Sequence, residues 1–205
     1  MGSSIKRHRR KQWEEFALLL KNKTRIETFN KAFNMVSAMS GLYEIEAKPI
    51  WDFLQKINPV SIVEIGRCMG GSLWMFGCAC ANLKKVLSID IESYELSDPL
   101  LEEWFKYYKV DCDIKVEDST QYQTNQMWDF VFIDGGHTGS IVKSDIKIWK
   151  DHCKYIGFHD FADKGSKNKH IRVYTDVVEE IQKAQKENNW KQIGQRGRSE
   201  IIFKT

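Results

Sequence analysis

Between Val63 and Ser72 the sequence VEIGRCMGGS runs a β-rich stretch into three glycines and then into an apolar helical stripe. Glycines let a backbone approach a ligand closely, and a helix opening beyond them presents free amides and a positive dipole end to a carboxylate or other polar group. Asp90 closes the next strand candidate, VLSID, roughly twenty residues on, the spacing at which an acidic side chain holds ribose hydroxyls. The turn and Asp90 together indicate a nucleoside ligand. The glycines fall at Gly66, Gly70 and Gly71 rather than as GxGxxG, and acidic Glu64 precedes them, which argues against a dinucleotide and its pyrophosphate. Asp134 ends the strand candidate DFVFID, with Gly135, Gly136 and His137 directly after it, and His159 with Asp160 ends YIGFHD. Such strand ends face the ligand crevice of an α/β sheet. A histidine there titrates near neutrality and can take a hydroxyl proton; the alternative is that His137 caps the following helix or orders the turn.

These residues act together only if a parallel sheet brings their strand ends to one edge. The strand candidates are SIVEI from Ser61, VLSID, DIKVE from Asp113, DFVFID from Asp129, YIGFHD, WKQIG from Trp190 and EIIFK from Glu200. Helical stripes separate them: Leu73, Phe76 and Cys80; Leu100, Leu101, Trp104 and Tyr108; Val142, Ile146, Trp149 and Cys153; Val173, Val177 and Ile181. Strands alternating with amphipathic helices specify a parallel sheet covered by helices. The last two strands are joined only by GQRGRS and should pair antiparallel. Up to about Pro59 the pattern is helical, with Trp13, Phe16 and Leu20, then Ile26, Phe29, Phe33 and Val36, then Ile50, Phe53, Leu54 and Ile57. The expected division is a helical cap over residues 1–59 and a catalytic domain over 60–205, forming one compact unit. Asp163 to His170 reads as a mobile polar loop that covers the site.

The ordered set VEIGRCMGGS, VLSID, EDST and DFVFIDGGH resembles the class I S-adenosylmethionine-dependent methyltransferases, from about Pro49 to the C-terminus. FIDGGH, a helix and then FHDF most resembles the small-molecule O-methyltransferases grouped with sugar, macrolide and cephalosporin-pathway enzymes. The resemblance implies a Rossmann-like, doubly wound α/β fold, S-adenosylmethionine as cofactor, and methylation of a small-molecule or carbohydrate hydroxyl. It implies that Glu64, Gly66, Arg67, Gly70, Gly71 and Ser72 face the methionine portion, Asp90 the ribose, and Asp118 with Ser119 the adenine, with Asp134 also at the cofactor. In the catechol-type relatives a magnesium ion is held by an aspartate at the Asp134 position and by two oxygen ligands after the next strand; the matching set here is Asp134, His159 and Asp160. His159 departs from that pattern, because imidazole suits manganese, iron or zinc better than magnesium. Either His159 points elsewhere, the metal differs, or no metal is used. His137 stands where those relatives place a lysine base, which makes His137 and Asp134 the expected catalytic pair.

Composition bounds the rest. A chain of 205 residues with 42% apolar and 29% charged residues fits one soluble domain. Net charge is only +3, and a basic cluster, Lys6, Arg7, Arg9, Arg10 and Lys11, carries much of the local excess, so a broad nucleic-acid track is not expected. Five cysteines without CxxC pairing read as reduced thiols in a cytoplasmic protein. No membrane span is expected. Signatures of serine hydrolases, P-loop enzymes and zincins (GxSxG, the Walker lysine motif, HExxH) are absent. Rival readings are a nucleic-acid methyltransferase on the same fold, and a non-methylating cofactor-fold binding protein or oxidoreductase relative. Trp13, Phe16, Phe29 and Phe33, if exposed, would cover the site or pair two subunits as a homodimer.

Overall fold

The computed structural model describes residues 2–37, 42–161, 174–193 and 201–205, with side chains from residue 11 onward. Three helices come first, α1 (Gly2–Lys21), α2 (Phe29–Val36) and α3 (Glu44–Ile57). Strands and helices then alternate: β1 (Ser61–Ile65), α4 (Gly71–Ala79), β2 (Lys85–Asp90), α5 (Asp98–Tyr107), β3 (Asp111–Val116), β4 (Trp128–Ile133), α6 (Gly139–Trp149), β5 (Cys153–Phe158), α7 (Thr175–Glu187), β6 (Lys191–Gln192) and β7 (Ile201–Lys204). A 3₁₀ turn at Ser119–Gln121 follows β3. The expected GQRGRS connection and the polar loop from Asp163 to His170 lie outside the described residues.

The sheet order is β3-β2-β1-β4-β5-β7-β6. β1 pairs in parallel with β2 and β4, β2 with β3, and β4 with β5, whereas β7 runs antiparallel to both β5 and β6. This is the doubly wound, mostly parallel sheet with a closing antiparallel pair that the sequence predicts. Chain direction across the sheet reverses between β1 and β4, which opens a crevice at their carboxyl ends.

Strand side chains alternate between two apolar layers, as the period of two requires. Ile62, Phe130 and Phe132 enter the layer built with α1 to α5, while Val63, Ile65, Val131 and Ile133 enter the layer with α6 and α7. Aromatic rings link the N-terminal helices to the rest: Phe16 of α1 meets Trp74 of α4 edge-on at 5.7 Å, and Trp74 meets Trp104 of α5 at 6.3 Å. The Trp104 indole also donates to the Thr24 carbonyl at 2.9 Å.

Several expectations shift in register. Cys153, placed by its spacing on the helix stripe of α6, is instead the first residue of β5. The helix ends at Trp149, and Cys153 pairs beside Trp128 after the turn through His152. Ile26 precedes α2 and packs on the core from the connecting segment. Phe16, Phe29 and Phe33 are buried, so they fill the core rather than offer a face to a second subunit. All five cysteines are free thiols, and no helix among the described residues is long and apolar enough to cross a membrane.

Phe16 is fully buried. Phe16→Ala should cost about 3–5 kcal/mol and lower the melting temperature in a single calorimetric transition, because α1 shares its apolar layer with α4 and α5. A separate low-temperature transition would show instead that α1 is a loosely attached appendage.

Candidate active site

The turn after β1 is shaped by contact with the end of β4. Gly66 has φ +87°, and a Cβ there would lie 2.3 Å from the Asp134 carbonyl oxygen, so neither the conformation nor the space admits a side chain. The Gly66 amide donates to the Ile89 carbonyl at 2.9 Å, and the Asp134 amide to the Ile65 carbonyl at 2.8 Å, fixing the three strand ends together. Cys68, at φ +49°, turns its amide onto Asp90 Oδ2 at 2.8 Å, while the Glu92 amide donates to Oδ1 at 3.0 Å. Each Asp90 oxygen is thereby oriented and keeps a lone pair for a further donor.

A cavity of about 490 Å³ opens over these strand ends, within the usual range for a small-molecule site. Gly66, Asp90, Asp118, Ser119, Asp134 and His137, all singled out in the sequence, line it. Gly135 and Gly136 line it as well, together with Cys68, Ile91, Glu92, Tyr94, Glu117 and Ile141. The latter six lie in connections or on a helix start, where periodicity carries no signal for a ligand. At the far end, Asp118 accepts from the Thr120 amide at 2.9 Å and hydroxyl at 2.7 Å, and these bonds hold its carboxyl below the usual range.

Arg67, Gly70, Gly71 and Ser72, expected at the methionine portion, do not line this cavity. Arg67 turns inward, fully buried, and its Nε and Nη2 grip both Asp98 oxygens at 2.9 and 2.8 Å. A guanidinium and a carboxylate meeting as a fork satisfy one another in the interior, so Arg67 clamps the turn to the start of α5. Glu64 is also fully buried, on β1, and neither carboxyl oxygen has a hydrogen bond of good geometry. Burial pushes this carboxyl up to about 8, against the pull of the Ser72 hydroxyl and of Arg67.

At the end of β4 and β5 four ionisable groups converge. His137 Nδ1 contacts Asp160 Oδ2, and that contact raises the imidazole above its ordinary value. The His137 ring stacks on Tyr174, with centroids 5.0 Å apart. His159 Nδ1 lies 2.9 Å from Asp134 Oδ1 and 3.4 Å from Asp160 Oδ1, while its Nε2 lies 3.3 Å from Glu46 Oε2. Burial opposes the charge on His159, but the facing carboxylates prevail and push it up to about 11. Burial raises Asp134, with His159 pulling it back.

Among the described residues, Asp134, His137 and Asp160 each place a ligand atom within 4.8 Å of the others, a set able to hold a metal ion. Two members of the expected set of Asp134, His159 and Asp160 belong to this group. The two nitrogens of His159 are directed at Asp134 and Glu46, whereas His137 stands with Asp134 and Asp160 in the group. Glu46 is the residue that sequence reading missed. It lies 113 residues from His159 along the chain, with no motif around it.

Residues 63–161 match the family model described as a methyltransferase domain. That stretch runs from β1 through the end of β5 and contains every cavity-lining residue. No curated protein is significantly similar to the chain. Among solved structures, a candidate caffeoyl-CoA O-methyltransferase from Staphylococcus aureus superposes with a TM-score of 0.62 at 16% identity, covering 91% of this chain and 96% of that one. The methyltransferase PaMTH1 of Podospora anserina, bound to S-adenosylhomocysteine, gives 0.58 at 12% identity over 100% and 96%. An O-methyltransferase of Bacillus cereus, in complex with the same product, gives 0.52 at 14% over 89% and 92%. At these identities the likeness is one of fold.

The buried Glu64 makes stability depend on pH. Its carboxyl is protonated in folded and unfolded chains below about 4.5, but only in the folded chain as pH rises toward about 8. The folded state therefore binds the extra proton in that window, and stability falls as pH climbs through it. Glu64→Gln should melt above the parent at pH 8, by roughly 2–4 °C for each kcal/mol gained, and the difference should shrink toward pH 5 in calorimetric scans. A constant difference across that range would assign Glu64 a partner that keeps it ionised.

Proposed function

We propose that this chain, a class I S-adenosylmethionine-dependent methyltransferase whose residues 63–161 belong to the methyltransferase-domain family, methylates a hydroxyl group of a small-molecule or carbohydrate acceptor. The observation that carries the acceptor chemistry is His137 at the cavity wall, paired with Asp160 behind it. With its Nδ1 proton held by Asp160, the neutral ring of His137 carries its lone pair on Nε2, the arrangement of a general base.

S-adenosylmethionine, when bound, supplies a methyl group on a positively charged sulfur. Five carboxylates border the cavity, Asp90, Glu92, Glu117, Asp118 and Asp134, an environment that favours a cation and disfavours a polyphosphate track. Asp90, oriented by the Cys68 and Glu92 amides, accepts from the ribose hydroxyls. Asp118 and Ser119 receive the adenine edge, and Gly66, whose bare Cα lets the end of β4 close against the turn, lines the cavity with them. Bound S-adenosylmethionine would supply the activated methyl carbon for the acceptor oxygen, and His137 would take the hydroxyl proton. Alignment and exclusion of water supply most of the acceleration for such a transfer. The five free thiols agree with a reducing, cytoplasmic setting.

The three-residue set at Asp134, His137 and Asp160 favours one further reading of the same site, in which a divalent ion lowers the acceptor's hydroxyl pKa. One imidazole with two carboxylates suits manganese, iron or zinc better than magnesium.

Calorimetric titration with S-adenosylhomocysteine should show micromolar binding that NAD does not reproduce. Absence of binding by folded protein would overturn the cofactor assignment. Repeating the titration with manganese, magnesium and chelator reads out the ion directly. His137→Ala should lower turnover of an acceptor found in a hydroxyl-compound panel by about 10²–10⁴-fold while leaving product affinity within about twofold. Unchanged turnover would remove His137 as the base.

A further inference from the structure

Glu46 belongs to α3, outside the stretch that matches the methyltransferase domain, and is only 2% exposed. A carboxylate is rarely taken out of water without a cation or several donors to meet it. The Tyr43 amide at 2.9 Å and the His159 ring at 3.3 Å both meet this one on Oε2. The Tyr43 contact closes the first turn of α3 and needs only an acceptor at that position, a task Gln performs as well as Glu. The His159 contact is different, because it joins the N-terminal helices to the reaction end of the sheet.

His159 lies between carboxylates on both sides: Glu46 at Nε2, and Asp134 with Asp160 at Nδ1. Asp134 itself lines the cavity, and Asp160 holds His137, which also lines it. The orientation of both cavity groups therefore runs through one imidazole. A ring anchored at Nδ1 alone can pivot about that contact, while an anion at the opposite nitrogen fixes its plane.

We propose that Glu46 is a positioning residue for methyl transfer, seating His159 between Asp134 and Asp160 and so setting the aim of Asp134 and, through Asp160, of His137 at the cavity wall. The proposal rests on the reading of His137 as the base. It also gives the N-terminal helices a direct part in the active site: the matched domain does not contain every residue that arranges its own acid and base groups.

Glu46→Gln separates this role from a structural one, since the amide still closes the turn of α3 but presents no charge to His159. With the panel acceptor, kcat should fall about ten- to a hundredfold, with KM for S-adenosylmethionine and the affinity for S-adenosylhomocysteine within about twofold of the parent. In ¹H–¹⁵N spectra of the histidine rings, the signals of His159 and of His137 should both move. Glu46→Asp, which restores the charge, should recover part of kcat. An unchanged kcat in Glu46→Gln, or a His137 ring signal that stays in place, overturns the proposal. If the parent methylates no panel compound, the acceptor reading fails on its own, and the His137 ring signal still decides the role of Glu46.

Discussion

The carboxyl ends of β1 and β4 lie so close that one methyl group on residue 66 would overlap the backbone of Asp134. This contact sits where the sheet changes direction, so the first turn of the fold and the end of its central strand share a single wall of the cavity. Everything that lines the cavity is placed relative to it. The Gly66 amide reaches β2, the Asp134 amide reaches β1, and the next residues of the turn supply the amide that orients Asp90. The backbone itself thus builds the part of the site that must be rigid, using hydrogen bonds that a parallel sheet already requires.

Around this wall the protein keeps two buried ionic arrangements with different purposes. Arg67 and Asp98 form a fork that ties the turn to α5 and takes no part in the cavity. The second arrangement, at the ends of β4 and β5, sets Glu46, Asp134 and Asp160 around His159 and passes on to His137. Buried carboxylates close together repel and are costly to ionise unless a cation stands among them. His159 stands among them, and the facing carboxylates raise its ring above the ordinary imidazole value despite its burial.

The N-terminal helices follow from the same economy of burial. α1, α2 and α3 complete the apolar layer on one face of the sheet, with Phe16, Phe33 and Trp51 inside it. Once α3 is held there, its first turn lies beside β5, and Glu46 reaches the imidazole. The N-terminal helices share the apolar core, and α3 brings Glu46 to His159.

What the sequence determined by itself was the part governed by local periods and turn chemistry. Alternating β-rich and amphipathic stretches specified the order of strands and helices, and the glycines with Asp90 specified a nucleoside-sized cleft at the strand ends. Asp134 and His137 were legible because they end a strand whose apolar run is unmistakable. The boundary between α6 and β5 was not, since Cys153 suits a helix stripe and a strand equally well and only pairing beside Trp128 selects the strand. Nor could spacing tell that Arg67 turns inward, because whether a side chain in a tight turn faces ligand or core depends on a partner, Asp98, contributed by a distant helix. The tertiary structure alone decided which imidazole stands among the carboxylates and which lines the cavity. That choice depends on Glu46, and no local pattern links two residues 113 positions apart; packing of α3 on the sheet brings them within hydrogen-bonding distance.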